Sequence, residues 1–175
     1  SRMVAGIVPA LSVSQFLPTV QTLTAALHEQ GHQLLLGQTF YDAAREDEVL
    51  AAMISRQPDG IVMMGLVQSE RARERLRRAR IPVVETWDFS DRPVDMVIGF
   101  SHLKVGSALA GYFLARGYQR VGIATGDDHR AMQRHAGFAA AWGRDVPTAR
   151  VAAPSTLESG RRALGELLER QPRLQ

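Results

Sequence analysis

Six short apolar runs punctuate the first part of this chain, and most are separated by stretches with helical periodicity. The runs are VAGIV (4–8), QLLLG (33–37), GIVMMG (60–65), PVVET (82–86), MVIGF (96–100) and RVGIAT (120–125). Near-continuous hydrophobicity over so few residues marks strands covered on both faces, as in parallel sheets. Between them, Phe16, Val20, Leu23 and Leu27 form one helical stripe, with Pro18 in the first turn and Gly31 as the stop. Ala43, Leu50, Met53 and Ile54 form a second stripe, and Val105, Leu109, Tyr112 and Phe113 another, ending at Gly117. Strand and helix in alternation, with short connections, predict right-handed crossovers and a doubly wound α/β sheet. Ligands of such sheets bind beyond the carboxyl ends of the strands. The loops to inspect are therefore PALSVSQ, GLVQSE, TWDFSDRPVD and TGDDHR.

After Gly117 the pattern restarts with RVGIAT, a helix over 129–142, a strand in ARVAAP and a helix through SGRRALGELLERQ. Two strands and two helices are too few for a free-standing sheet. They are either a second lobe cut short or an extension of the first.

Composition removes several chemistries. The absence of cysteine excludes disulfides, thiolate metal sites and cysteine nucleophiles. No apolar run approaches the roughly 20 residues of a membrane span, and the start lacks the pattern of a secretory signal, so a cytoplasmic setting is expected. A net charge of +3 is too small to imply nucleic-acid binding. In RARERLRRAR (71–80), Ala72, Leu76 and Ala79 recur at helical spacing, which reads as an amphipathic helix with solvated arginines.

The stretch TGDDHRAMQRHAGF (125–138) invites three readings. A phosphate loop needs either a Gly-rich turn followed by Lys-Ser or Lys-Thr, or the G-x-G-x-x-G fingerprint. This turn has one glycine and two acids that would repel phosphate. A metal cluster of Asp127, Asp128, His129 and His135 has the wrong spacing: the acids are consecutive and the histidines six apart. Asp128 is better placed to cap the helix. Arg130 and Arg134 share a helix face just beyond a strand's carboxyl end, where an anion would be welcome. Pairing of these arginines with Asp127 or Asp128 is an equal alternative. No G-x-S-x-G elbow is present, and adjacent Ser101-His102 cannot form a nucleophile–base pair. No catalytic residue, cofactor or metal is expected.

Several segments in order resemble the effector-binding core of the LacI/GalR transcriptional repressors. These are VAGIVPALSVSQF, EQGHQLLLGQT, QPDGIVMMG, RARIPVVETWD, GYFLARGYQRVGIATG and RHAGF. VVETWD, VIGFSHLKVG and VAAPSTLESGRRAL look most like the gluconate-utilisation repressors within that family. The resemblance implies a periplasmic-binding-protein-like fold of two doubly wound lobes, with residues 3–117 forming the first and 118–175 the start of an incomplete second. It implies a homodimer that pairs through the helix over 16–27 and the one ending at Arg56. It also implies a small sugar or sugar-acid effector bound between the lobes, and operator DNA contacted only through a helix-turn-helix that this chain lacks. The chain is accordingly expected to be a fragment.

Carried over by position, the resemblance places Ser12, Gln15, Phe16 and Gln68 against the effector from the first part. It places His102, Lys104, Arg130 and Arg134 against the effector as well, the first two of them still within residues 3–117. Phe16 has core packing as its equal alternative. Lys104 sits near a position where the family often has an acid, and a cation there suits an anionic sugar, although a solvated lysine in a first turn is the equal alternative. The chain departs from the family at Val13-Ser14, where Asn-Pro is usual, and at Ser101-His102, where Asp-Asn is usual. A periplasmic sugar-binding protein and a small α/β enzyme are the rival readings.

Overall fold

Met3–Val8 (β1) lies inside the sheet of the first half, paired in parallel with Gln33–Gln38 (β2) on one side and Gly60–Met63 (β3) on the other. Val83–Thr86 (β4) pairs with β3, and Met96–Ile98 (β5) pairs with β4, again in parallel. The order is β2-β1-β3-β4-β5. The helices are Leu17–Glu29 (α1), Ala43–Ile54 (α2) and Glu70–Ala79 (α3), with a short 3-10 turn over Ser14–Phe16 before α1. The computed structural model describes residues 1–175.

Strand alternation sends side chains to two cores. Ala5, Ile7, Ile61, Met63 and Val83 pack with Leu50 of α2 and with Ala72 and Leu76 of α3. Val8 and Met64 pack with Phe16 and with Val20 of α1, backed by Leu34 and Leu36. Helices therefore cover both faces, as the apolar runs predict. Arg77 and Arg78 take the solvated face expected of the α3 arginines, held by Glu70 at 3.0 Å and Glu74 at 3.1 Å, but Arg73 turns inward to the buried Glu85.

Strand β5 departs from expectation. The run MVIGF reads as a strand covered on both faces, but Met96 is 45% exposed and Ile98 72%. The strand is at the sheet edge, paired only with β4, and the helix that follows it belongs to a different unit.

That unit boundary is the second departure. The chain divides into Ser1–Phe100 and Ser101–Gln175, rather than after Gly117. His102–Ala115 (α4) packs along His129–Trp142 (α5), and side-chain burial explains why. Ala110 on α4 shares a core with Val121, Phe138, Trp142 and Val146, flanked by Phe113 and Tyr118. Ile123–Gly126 (β6) and Thr148–Val151 (β7) form a parallel pair, and Leu157–Arg170 (α6) buries Ala163 and Leu167 against Ala149. The strand begins at Ile123, later than RVGIAT suggests, because its ladder starts where Ile123 N–H meets the Pro147 carbonyl. No helix is long and apolar enough to cross a membrane.

Candidate functional site

In the first unit, the loops at the carboxyl ends of the strands are fixed by polar groups from other elements. Gln38 Oε1 accepts from the Leu11 amide at 3.0 Å, tying the β1 loop to the end of β2. Glu85, fully buried on β4, accepts from the Val67 amide at 2.8 Å and the Val94 amide at 2.7 Å. Its other neighbour is Arg73 Nη1, 3.8 Å away. Glu46, in the first turn of α2, accepts from the Gln68 amide at 2.9 Å.

Three of the six non-glycine residues with left-handed backbone lie at the same end, the other three, Arg2, Gln57 and Arg80, preceding strands. Phe40 and Tyr41 after β2, and Trp87 after β4, have φ of 54°, 64° and 63°. Left-handed backbone is costly for aromatic residues and is retained where the surroundings impose it, often at functional sites. Trp87 is held by its indole N–H, which donates to Thr19 Oγ1 at 3.2 Å, and by edge contacts with Phe16 and Phe100.

Among the four first-unit candidates, Ser12 and Gln15 are exposed in the loop and turn that follow β1. Gln68 is exposed in the loop after β3, with its Nε2 donating to the Leu66 carbonyl at 2.8 Å. Phe16 is fully buried in the core under α1, which is the packing alternative the sequence left open.

In the second unit, the start of α4 lies against the second and third turns of α5. Ser101 caps α4 by accepting from the Lys104 amide at 3.3 Å. Asp128 caps α5 by accepting from the Arg130 and Ala131 amides at 3.1 and 3.2 Å, as expected of it. Arg134, one turn into α5, places Nη1 2.8 Å from Nδ1 of His102 at the start of α4. A guanidinium cannot accept a hydrogen bond, so Nδ1 holds the lone pair and the ring proton sits on Nε2. Arg130 is buried, with Nε 4.0 Å from Asp128 Oδ1. Lys104 has an exposed side chain in the first turn of α4.

The arginines thus divide between the two sequence alternatives. Arg130 lies by Asp128, whereas Arg134 takes a neutral imidazole in place of an acid. Asp127 is engaged by the Ala153 amide at 2.8 Å. His135 meets Thr148 Oγ1 at 3.0 Å, and His129 meets Gln133 Nε2 at 3.3 Å, so the two histidines have separate partners. Arg130, Arg134 and Lys104 thus bring three cations to this part of the unit, beside the carboxylates of Asp127 and Asp128.

Sequence reasoning missed Glu46, Glu85 and Trp87 as residues that shape these loops. Glu85 had a signal, being a charged residue inside the apolar run PVVET. Glu46 had none, because an acid in the first turn of a helix is ordinary.

A doubly wound parallel sheet with ordered loops at its carboxyl ends, followed by a second α/β unit, defines a periplasmic-binding-protein-like domain. A family profile described as "Periplasmic binding proteins and sugar binding domain of LacI family" matches residues 1–175, and the chain belongs to that family. It is 31% identical to the HTH-type transcriptional regulator GntR of Pseudomonas aeruginosa over 183 residues, covering 99% of this chain and 52% of that protein. A LacI family transcriptional regulator from Silicibacter pomeroyi superposes with a TM-score of 0.91 at 35% identity, covering 99% of this chain and 54% of the other. The transcription regulator GntR from Chromobacterium violaceum gives 0.86 at 30% identity, covering 97% and 65%. The chain spans about half the length of the curated relative, and these relatives are named as regulators rather than enzymes.

Proposed function

We propose that this chain is the effector-binding part of a ligand-responsive transcriptional repressor of sugar-acid catabolism, with gluconate as the effector. The observation that carries the proposal is the Arg134–His102 pair, 2.8 Å apart, with His102 at the start of α4 and Arg134 one turn into α5. It offers a guanidinium for a carboxylate, with Arg130 and Lys104 as further cations. A neutral sugar needs acids and amides there more than cations. The sequence resemblance to gluconate-utilisation repressors and the likeness to two regulators named GntR support the same reading.

In this reading Ser12, Gln15 and Gln68 contact the effector from the first unit, and Phe16 supports Trp87 from beneath. The protein works as a cytoplasmic homodimer and meets operator DNA through a helix-turn-helix outside these 175 residues. Effector controls repression only through its differential affinity for the DNA-competent and DNA-incompetent states.

Calorimetric titration of the full-length protein with D-gluconate, 6-phosphogluconate, D-ribose and guanine tests the proposal. Gluconate is expected to bind tightest. A neutral sugar binding tighter would remove the roles given to Arg130, Arg134 and Lys104. Loss of operator binding on adding gluconate, in a gel-shift assay, tests the repressor role separately. A periplasmic sugar-binding protein shares the family description, and a secretory signal upstream of this segment would favour it over the repressor.

A further inference from the structure

The loop over residues 64–69 is tethered at neighbouring amides by two carboxylates from elsewhere in the sequence. Glu85 of β4 holds Val67 on Oε1, and Glu46 of α2 holds Gln68 on Oε1. Both acids are sequestered, at 0% and 5% exposure. Their company differs. Glu85 has Arg73 of α3 at 3.8 Å, and Asp47 beside Glu46 has Arg71 of α3 at 3.7 Å and the Ser69 hydroxyl at 2.9 Å. Glu46 pairs with no cation: the charges that act on it are the like charges Asp47 and Glu85, while Arg71 and Arg73 are turned to those two acids.

We propose that Glu46 is the positioning residue of this loop: its carboxylate fixes the Gln68 amide, and with it the Gln68 side chain, and protonation slackens that hold. The consequence for effector rests on the proposed function, in which Gln68 touches the ligand. Burial, the largest influence, pushes the Glu46 carboxyl up to about 7, against the lowering effect of the Gln68 amide bond and with the Asp47 and Glu85 charges adding to the rise. The acid therefore titrates in the range where a cell's pH varies. Above that point the Gln68 amide donates to a carboxylate, a charge-assisted bond; below it, to a neutral acid, a weaker one. The Gln68 side chain is folded back on its own loop through the Leu66 carbonyl, so its position follows the loop backbone.

The test follows the Gln68 amide in the amide spectra of 15N,2H-labelled full-length protein between pH 5.5 and 8.5, with D-gluconate affinity measured over the same range. Wild type is expected to show a Gln68 shift with a midpoint near 7, and an affinity about fivefold weaker at the acid end, the difference between a charged and a neutral hydrogen bond. The Glu46→Gln variant keeps an acceptor for the amide and cannot titrate. It is expected to fold, to lose the Gln68 titration and to bind gluconate with no such step. In Glu85→Gln the midpoint moves down, because a neighbouring negative charge is gone. A Gln68 amide that is flat in wild type, or that titrates alike in Glu46→Gln, overturns the proposal at the tether. A normal titration with affinity unchanged across pH overturns it at Gln68's contact with effector, and leaves the Arg134 reading to its own test.

Discussion

Gly137 of α5 lies so close to Leu103 of α4 that a Cβ on the glycine would stand 2.0 Å from the Leu103 carbonyl oxygen. The relation is reciprocal: a Cβ on Gly106 would stand 2.0 Å from the Arg134 carbonyl, and the Ser107 hydroxyl bridges to the Gly137 carbonyl at 3.1 Å. Bare backbones let the two helices approach until His102 and Arg134 meet. The expected cost of Gly137→Ala is about 3 kcal/mol, since the obstruction is main chain and cannot swing aside. Gly111→Ala, also on α4 with nothing within 4 Å, is expected to stabilise by about 0.5–1 kcal/mol through helix propensity alone. Urea unfolding of both variants checks the contrast, and equal effects would contradict the tight contact.

Removing the guanidinium at Arg134 is expected to weaken gluconate binding by about 10- to 100-fold, the worth of a charge-assisted bond. Arg134→Lys should recover little, because an ammonium lacks the fork that can serve His102 and a carboxylate together. Calorimetry on folded variants measures this directly. Wild-type affinity in Arg134→Ala would remove the residue from the site.

The stability contribution of Glu46 has a definite sign. Its folded-state value of about 7 lies above the ordinary 4.5, so between these limits the native state keeps a proton that the unfolded chain has released. Stability from this group is fully present below about pH 4.5 and is lost as pH rises through 7, on the order of 3 kcal/mol in all. Glu46→Gln should match wild type at the acid end and exceed it increasingly toward pH 8. Denaturant midpoints across pH report the difference, and parallel curves would refute a raised Glu46.

Truncating Glu85 is expected to be more damaging than its size suggests. Glu85→Ala strands the Val67 and Val94 amides and leaves Arg73 without its buried acid, a loss of about 3 kcal/mol or more. Hydrogen exchange should quicken at both amides, 27 residues apart in sequence, while β1 and β2 stay protected. Acceleration at only one of them would mean the two loops are held independently.

The apolar runs made the sheet legible because burial on both faces leaves few other ways to arrange such residues. β1, β3 and β4 follow directly, and the Asp128 cap was readable from the strand-to-helix turn. β5 was not, since MVIGF has the composition of a covered strand and nothing local says that its neighbours stop at β4. The unit boundary was hidden for a related reason: α4 has a generic apolar stripe, and only its packing against α5, through Ala110 and the glycine contact, assigns it. Of the candidate site, Arg130 and Arg134 were visible through their shared helix spacing, whereas the Arg134–His102 contact spans 32 residues and depends on that glycine approach. Glu85 stands out as a charge inside an apolar run, but its partners, like that of Glu46, are backbone amides, which carry no side-chain signature.

The two oxygens of Glu85 have a bearing on redesign. One serves the loop after β3 and the other the segment before β5, so one side chain ties together two stretches that an engineer would naturally vary separately. Libraries aimed at a new ligand specificity should therefore randomise residues 64–69 and 88–94 jointly and leave Glu85 constant. Grafting either stretch alone from a relative without this glutamate would import a loop whose anchor is missing.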